Sequence, residues 1–259
     1  MTVVLRRIAT VVAVPIALLA VWWMTSAQST SYYLPPLSKI LSTFDDVWFN
    51  QRFLDDVVPS LLRLLVGFSL ALVLGVALGV LVGSSRAVRS YCEPVLEFLR
   101  AIPPPVLVPV LMLFAGIGDT MKVLVIVSGC IWPILLNTVE GVRAVDQVLS
   151  ETCRVYRIGG RARLTTLVLR SASPQIMAGV RQAVSIGIIL MVISEMFAAS
   201  NGLGFTIIQF QRSFNITEMW TGILLLGILG FVLSLAVRAV DRRVLRWYHG
   251  QRRTHLGAR

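Results

Sequence analysis

Charged residues are scarce in this chain of 259 residues, where they make up 14% of the sequence, against about 25% in an average protein. A soluble domain of this length needs more polar surface than that to cover its core, and 56% of these residues are hydrophobic. The same composition excludes a disordered chain, a collagen-like repeat and a small disulfide-linked scaffold. We therefore predict an integral membrane protein.

Cysteine and histidine are also rare. The three cysteines are Cys92, Cys130 and Cys153, and the two histidines are His249 and His255. The cysteines form no CxxC pair and lack metal-ligand spacing, so we interpret them as packing residues. The sequence contains no HExxH motif and no phosphate-binding GxxxxGKS/T loop. We predict that the chain is not an enzyme, with no catalytic residue, no metal site and no cofactor of its own.

Long apolar runs are abundant. Six stretches have the length, roughly 17–25 residues, and the low charge of transmembrane helices, and a helix satisfies its own backbone hydrogen bonds in lipid. They are residues 8–24, 61–83, 93–114, 121–140, 179–200 and 219–240. The first is also similar to a secretory signal, because Arg6 and Arg7 precede it and small residues follow it. Its length and its final Trp22 and Trp23 favour an uncleaved helix.

Acidic residues are few, with 13 against 24 lysines and arginines. If the N-terminus is cytoplasmic, 18 of the 24 basic residues fall on the cytoplasmic side of the six spans. The positive-inside rule therefore predicts that both termini are cytoplasmic. No basic stretch is organised as a nucleic-acid-reading module, so we expect no nucleic-acid partner. Arg63 and Arg181 lie near span ends, where long basic side chains can extend toward the lipid headgroups.

The segment 141–178, between the fourth and fifth spans, is long for a connection at 38 residues, and long connections usually carry a function. Its pattern predicts a surface helix, a break at Gly159 and Gly160, a short second helix, and entry to the next element at Pro174. Two interpretations stay open on physical grounds. The segment is either a basic loop held near anionic lipid or a docking element for a cytoplasmic partner.

Glu195 lies deep in the fifth predicted span, where a carboxylate costs about 2.5–3.5 kcal/mol on insertion scales. It must therefore face a cavity, a neighbouring span or another polar group. Either it holds the fold by bonding to the backbone of a neighbouring helix, or it lines a translocation pathway together with Ser194 and Met196. Ser194 also fits a role in contact between helices.

Proline and glycine mark two other spans. Residues 103–105 are consecutive prolines and predict a kinked or broken helix. Pro104 and Pro105 then either line the translocation pathway or bend the helix for packing. In the second span, glycines at multiples of four residues predict close helix packing. These are Gly67, Gly75, Gly79 and Gly83.

Four motifs carry a resemblance to one family. They are residues 151–161 (ETCRVYRIGGR) with their continuation to 181, residues 99–122 (LRAIPPPVLVP, then FAGIGDTMK), residues 194–204 (SEMFAASNGLG) and residues 33–40 (YLPPLSKI). The first resembles the EAA loop of bacterial ABC importer permeases. The others are similar to segments of the nitrate, sulfonate and taurine permeases of that group. The resemblance covers residues 30–246, with the motifs in the family's order.

The resemblance implies an all-α integral membrane protein with six transmembrane helices and the type I ABC importer permease fold. Residues 1–56 would form the first helix and an extracytoplasmic segment, residues 57–241 the permease domain with its coupling loop at 141–178, and residues 242–259 a basic cytoplasmic tail. The implied location is the bacterial cell membrane. The implied partners are a second permease copy, two ATPase subunits that bind ATP, and an extracytoplasmic substrate-binding protein or lipoprotein. The solute would be a small anion or zwitterion such as a sulfonate, taurine or nitrate. The alternative is an ion-coupled carrier or a passive channel.

The resemblance also assigns the contact with the ATPase to residues of the loop. They are Glu151, Arg154, Tyr156, Arg157, Gly159, Gly160, Arg161 and Leu164. Two positions depart from the family pattern, because its glycine aligns with Arg157 and its Leu-Pro proline with Arg170. We expect Gly159 or Gly160 to restore the bend, and we expect an ATPase partner matched to this altered loop.

Overall fold

A computed structural model of the chain describes residues 13, 17, 20–197 and 199–248. The first predicted span, 8–24, lies mostly outside these residues. The described part is helical and contains no β-strand. Its principal helices are α1 (Leu37–Trp48), α2 (Val58–Ser84), α3 (Arg86–Ala101), α4 (Leu107–Ala115), α5 (Asp119–Arg143), α6 (Gln147–Val155), α7 (Gly160–Arg163), α8 (Leu169–Phe197), α9 (Leu203–Arg212) and α10 (Ile216–Val244).

Three short turns of other helical types extend these helices. A π-helical turn over Phe53–Val57 leads into α2, and a second over Leu164–Val168 joins α7 to α8. A 3₁₀ turn over Pro104–Val106 leads into α4. Because the second π-helical turn leaves no gap, Gly160–Phe197 is one continuous helical stretch.

Four helical stretches in the described part of the chain are long and apolar enough to cross a membrane. They are Phe53–Ser84, Asp119–Arg143, Gly160–Phe197 and Ile216–Val244. A fifth results if α3 and the stretch Pro104–Ala115 are counted as one span, although they are bent by 72° at the break between them. The break confirms the prediction from the three prolines at 103–105. Six spans and cytoplasmic termini remain predictions.

The segment 141–178 differs from its sequence prediction in one respect. As predicted, a surface helix, α6, is followed by a break and a short helix, α7. Pro174, however, lies inside α8 and does not mark the start of an element. A proline costs a helix the hydrogen bond that its own N–H would donate and adds a local clash. α8 nevertheless continues through Pro174, and it packs closely against α5 on both sides of it, at Ala172 and Gly179. The connection between long helices is therefore limited to residues 144–159.

The chain divides into two compact units, Met1–Pro59 with Asn201–Gly227 and Ser60–Ser200 with Ile228–Arg259. In the first unit, Trp48 at the end of α1 is buried, and its indole N–H donates to the Thr221 hydroxyl of α10 at 2.9 Å. Asp56 accepts a hydrogen bond from the backbone N–H of Gly202 at 2.9 Å. Gly202 has a φ of 119°, which residues with a Cβ rarely adopt. The first contact joins α1 to the first part of α10, and the second joins the π-helical turn before α2 to the start of α9.

In the second unit, α2 and α5 pack along the predicted glycine face. An ideal Cβ on α2 would lie only 2.5–2.9 Å from a side-chain carbon of α5 at each of four positions. The pairs are Gly67 with Ile126, Gly75 with Ile134, Gly79 with Thr138 and Gly83 with Val142. The constant register shows that the two helices run parallel, and the absence of side chains allows their backbones to approach closely.

α8 packs against α5 in the opposite direction. A Cβ on Gly129 would lie 2.2 Å from Leu190, and one on Gly179 would lie 2.4 Å from the carbonyl of Pro133. In the same unit, Arg181 of α8 donates to Asp241 of α10 at 2.8 Å. Arg181 therefore has a protein partner at the position where the sequence predicted contact with headgroups. α5 therefore packs against both α2 and α8.

Candidate functional site

The surface helix α6 has a well-defined beginning. The carboxylate of Asp146 accepts a hydrogen bond from the backbone N–H of Leu149 at 3.0 Å, which satisfies one of the free donors at a helix N-terminus. Gln147 donates from its side-chain amide to Glu151 one turn later, at 2.8 Å. The helix is thus stabilised locally, even though none of its residues is buried.

Apolar side chains of α6 point away from the protein. Val148, Val155 and Tyr156 share one face, at helical positions i, i+7 and i+8, and are 69%, 77% and 77% exposed. Leu149, beside them, is also exposed. An apolar cluster of this kind on a charged segment is typical of a surface that another molecule covers.

The turn that follows α6 contains Arg157, which has a left-handed φ of 50°. The N–H of Ile158 donates to the carbonyl of Cys153 at 2.9 Å, and the N–H of Arg157 donates to that of Arg154 at 3.1 Å. These two bonds form a Schellman C-cap, in which the left-handed position is usually glycine. Arg157 thus adopts the left-handed conformation that a glycine usually has in this turn.

The prediction that Gly159 or Gly160 restores the bend is wrong. Gly159 has φ −58° and ψ 148°, which any residue adopts, and Gly160 begins α7. The chain turns at Arg157, the position where the resemblance places a glycine, because the Schellman hydrogen bonds fix the backbone there. Arg170, at the family's proline position, is the second residue of α8, where an arginine fits a regular helix.

All eight residues assigned to ATPase contact are exposed and lie in α6, the turn after it, α7 and the π-helical turn. The two sides of this segment are tied together by Arg163 of α7, whose Nη2 donates to the Ser150 hydroxyl of α6 at 2.6 Å. Sequence reasoning missed this link, since it joins residues 13 positions apart across the turn.

A buried charge cluster occupies the second unit. Arg63 of α2 donates from Nη1 to Glu195 Oε1 at 2.8 Å and from Nε to Asp119 Oδ1 at 2.7 Å. The Ser60 hydroxyl donates to the same Glu195 oxygen at 2.7 Å, and Lys122 Nζ lies 3.5 Å from Asp119 Oδ1. Arg63 is 5% exposed and Glu195 is fully buried. The cluster links α2, the start of α5 and the end of α8.

The charges of this cluster balance, since two cations, Arg63 and Lys122, face two carboxylates, Asp119 and Glu195. Buried charges are tolerated when they are paired and hydrogen-bonded. The cluster therefore holds three helices together.

Other residues predicted to line a pathway lie in two places. Ser194 is buried and donates to the Met191 carbonyl of its own helix at 2.8 Å, and Met196 follows Glu195 near the end of α8. Pro104 and Pro105 form the 3₁₀ turn between α3 and α4. Their assignment to a pathway remains a prediction.

The expectation that Arg63 extends toward the headgroups is wrong, because its guanidinium is enclosed by two carboxylates. The sequence did hold a signal, since Arg63 and Lys122 are each an isolated cation at the beginning of an apolar run. Their partners could not be identified from sequence, because Arg63 and Glu195 are 132 positions apart and meet only when α2 packs beside α8.

The family described as "binding-protein-dependent transport system inner membrane component" matches residues 71–246, which include α5, α6, α8 and the charged turn between them. The chain belongs to this family. The permease is 30% identical to the taurine transport system permease protein TauC of Escherichia coli over 242 residues, which are 90% of this chain and 87% of that one. It is 28% identical to the nitrate import permease protein NrtB of Synechocystis over 242 residues, 90% of this chain and 88% of that one.

Among solved structures, the permease resembles a chain of the MetNI methionine ABC transporter in inward-facing conformations. The TM-score is 0.62 at 21% identity, and the alignment covers 73% of this chain and 94% of that chain. At this identity the likeness establishes the fold. Together the matches confirm the ABC importer permease that the four motifs indicated.

Proposed function

We propose that this permease forms the translocation pathway of an ATP-driven importer and that α6 binds a separate ATPase subunit. The contact surface, here called the docking surface, comprises Val148, Leu149, Val155 and Tyr156. Of the eight exposed residues that the motif assigned to coupling, Tyr156 belongs to this surface, and the other seven surround it or follow it: Glu151, Arg154, Arg157, Gly159, Gly160, Arg161 and Leu164.

One observation carries this proposal: exposed apolar side chains stand on a helix that is fixed at both ends. Asp146 caps the start of α6, the Schellman turn at Arg157 closes its end, and Arg163 ties it to α7. A rigid element with an apolar face can bind a partner and move with it as a rigid body, and so transmit the partner's conformational change.

The continuous stretch Gly160–Phe197 supplies a route for that movement. Its 38 residues correspond to about 57 Å at 1.5 Å per residue. It begins three residues after Arg157 and carries Glu195 near its far end. We therefore propose that movement of the docking surface reaches the Arg63–Glu195 pair through a single helical stretch.

The remaining components of the importer follow from the family and belong to the same proposal. We expect a second copy of this chain, two ATPase subunits that bind ATP, and an extracytoplasmic binding protein or lipoprotein, all at a bacterial cell membrane. The family description names a binding-protein-dependent system, which supports the last of these. This chain would need no cofactor of its own.

We propose a small anionic or zwitterionic solute, such as a sulfonate, taurine or nitrate. The names of the taurine and nitrate relatives support this class. Because the charges of the buried cluster balance, we assign the choice among such solutes mainly to the binding protein. Thermal-shift screening of that binding protein against sulfonates, taurine and nitrate would identify the solute.

Co-purification tests the docking surface. The permease is co-expressed with its proposed ATPase partner, and ATPase bound per permease is measured after purification in detergent. We expect Val155→Asp and Tyr156→Ala to reduce bound ATPase at least tenfold, because a charge or a cavity then replaces apolar contact. Tyr91→Ala, which removes an equally exposed tyrosine from α3, is the matched control and should bind normally.

Normal binding by both docking-surface variants would overturn the proposed contact. The alternative function, an ion-coupled carrier or a passive channel, makes a different prediction, namely solute transport that persists without ATP and without any ATPase subunit.

A further inference from the structure

A cavity of about 570 Å³ lies in the second unit between the end of α2, the start of α3 and α7. Its lining includes four arginines, Arg86, Arg89, Arg143 and Arg163, and no acidic residue of the described chain. A cavity with four cations and no carboxylate has a strongly positive potential. This is the reverse of the buried cluster around Arg63, where the charges balance.

The four arginines come from three helices. Arg86 and Arg89 are one turn apart at the start of α3, and so they lie on the same face. Arg143 is the last residue of α5, and Arg163 is the last residue of α7. Placing four like charges around one cavity costs free energy unless a negative group enters it.

Protein partners neutralise only part of this charge. Arg143 forms a salt bridge with Glu140 at 2.7 Å. Arg163 donates to the uncharged Ser150 hydroxyl at 2.6 Å, and its buried Nε has no hydrogen-bond partner within the described ranges. For Arg86 and Arg89, no salt bridge occurs in the part of the chain that the structure describes. At least three positive charges are thus available to a ligand.

We propose that this cavity binds a phosphate group, supplied either by free inorganic phosphate or by the headgroup of an acidic phospholipid. Guanidinium groups present paired N–H donors that match phosphate oxygens. The volume exceeds that of one phosphate and admits the attached glycerol of a headgroup. Val142, Val145 and Val168 supply apolar walls beside the arginines. The site goes beyond the proposed importer function and does not depend on it.

A bound phosphate would join three helices next to the docking surface. Gly160 and Leu164 line the cavity and are also among the residues proposed to contact the ATPase. The bound group would therefore stabilise the start of the long stretch that continues into α8, beside the Arg163–Ser150 link, since both residues of that link line the cavity.

Thermal unfolding of the full-length chain in lipid nanodiscs tests the proposal. One arm uses phosphatidylcholine nanodiscs with increasing inorganic phosphate at constant ionic strength. The other compares phosphatidylcholine with phosphatidylcholine–phosphatidylglycerol nanodiscs without added phosphate. The proteins are the parent chain, Arg89→Gln, Arg163→Gln, and the control Arg242→Gln. The control removes one exposed charge that does not line the cavity.

The proposal predicts a rise in unfolding temperature in at least one arm, with half-saturation at least tenfold weaker in Arg89→Gln and unchanged in Arg242→Gln. Arg163→Gln is the second variant, should Arg89→Gln not fold. A response in the phosphate arm identifies a free phosphate, and a response confined to phosphatidylglycerol identifies a headgroup. The proposal would be overturned if the unfolding temperature did not rise in either arm, or if half-saturation weakened equally in Arg242→Gln. Either result would favour an acidic protein surface as the partner of these arginines.

Discussion

Arg63 and Glu195 form a buried ion pair between two helices of the permease, with Arg63 Nη1 2.8 Å from Glu195 Oε1. Ser60 donates to the same carboxylate oxygen, and Asp119 accepts from the other side of the guanidinium. A carboxylate on an isolated helix has a high free-energy cost in lipid. Here a guanidinium on a neighbouring helix pairs with it and lowers that cost. The pair explains how Glu195 is retained in an apolar stretch.

Removing one partner should destabilise the permease strongly. Glu195→Gln removes the carboxylate charge that Arg63 Nη1 contacts, and loss of one member of a buried pair costs about 3–5 kcal/mol. We expect a lowered thermal unfolding midpoint for Glu195→Gln and for Arg63→Met. The loss of stability in the double variant should be clearly smaller than the sum of the losses in the two single variants. Strictly additive losses of stability would show that the pair does not interact.

The glycine face between α2 and α5 gives a second prediction. A methyl group on Gly79 would lie 2.5 Å from Thr138 Cβ and 2.9 Å from the Leu135 carbonyl, so Gly79→Ala should cost about 1–3 kcal/mol through overpacking. Gly227→Ala is the control, because the added methyl group has no atom within 4 Å in the described chain beyond its own helix turn. That variant should be neutral or stabilised by up to about 1 kcal/mol. Equal effects in thermal unfolding would refute close packing at Gly79.

Arg157→Gly should stabilise the end of α6. The left-handed conformation is less stable by roughly 1–2 kcal/mol for a residue with a Cβ, and a glycine avoids most of this free-energy cost. Hydrogen exchange of the Ile158 amide measures the stability of the cap directly, because this N–H donates to the Cys153 carbonyl. We expect the exchange rate to fall several-fold in Arg157→Gly. Arg154→Gly, inside the helix, should instead accelerate exchange. Faster exchange in Arg157→Gly would contradict the Schellman turn.

Thr221→Val should destabilise the first unit by leaving the Trp48 indole N–H without its acceptor. An unsatisfied buried donor costs about 1–3 kcal/mol, while valine keeps the shape of threonine. Thr221→Ser retains the hydroxyl and should preserve most of the stability. Thermal unfolding followed by tryptophan fluorescence measures both, and identical midpoints for the two variants would exclude the hydrogen bond.

Local patterns predicted much of this fold. The spacing of Gly67, Gly75, Gly79 and Gly83 predicted a packing face because it follows the helical repeat. The prolines at 103–105 predicted the break between α3 and α4 because each lacks a backbone donor. Both features depend on residues close together in the chain.

Features that depend on distant residues were missed or misplaced. Arg63 was predicted to extend toward headgroups, since nothing near it in sequence indicates that Glu195 packs beside it. Arg157 has the conformation of a glycine because two backbone hydrogen bonds, from Ile158 to Cys153 and from Arg157 to Arg154, form a cap, which composition alone does not show. Pro174 was placed at a helix start because its effect within a helix depends on the packing of α8 against α5.

Solute uptake into proteoliposomes tests the central claim most directly. The vesicles carry the permease and its proposed ATPase partner, and the binding protein is outside with the labelled solute that the screening identifies. Uptake should require ATP inside the vesicles, on the side of the ATPase. It should fall at least tenfold with Tyr156→Ala, while Tyr91→Ala should transport at the normal rate. Equal uptake with and without ATP would contradict the account.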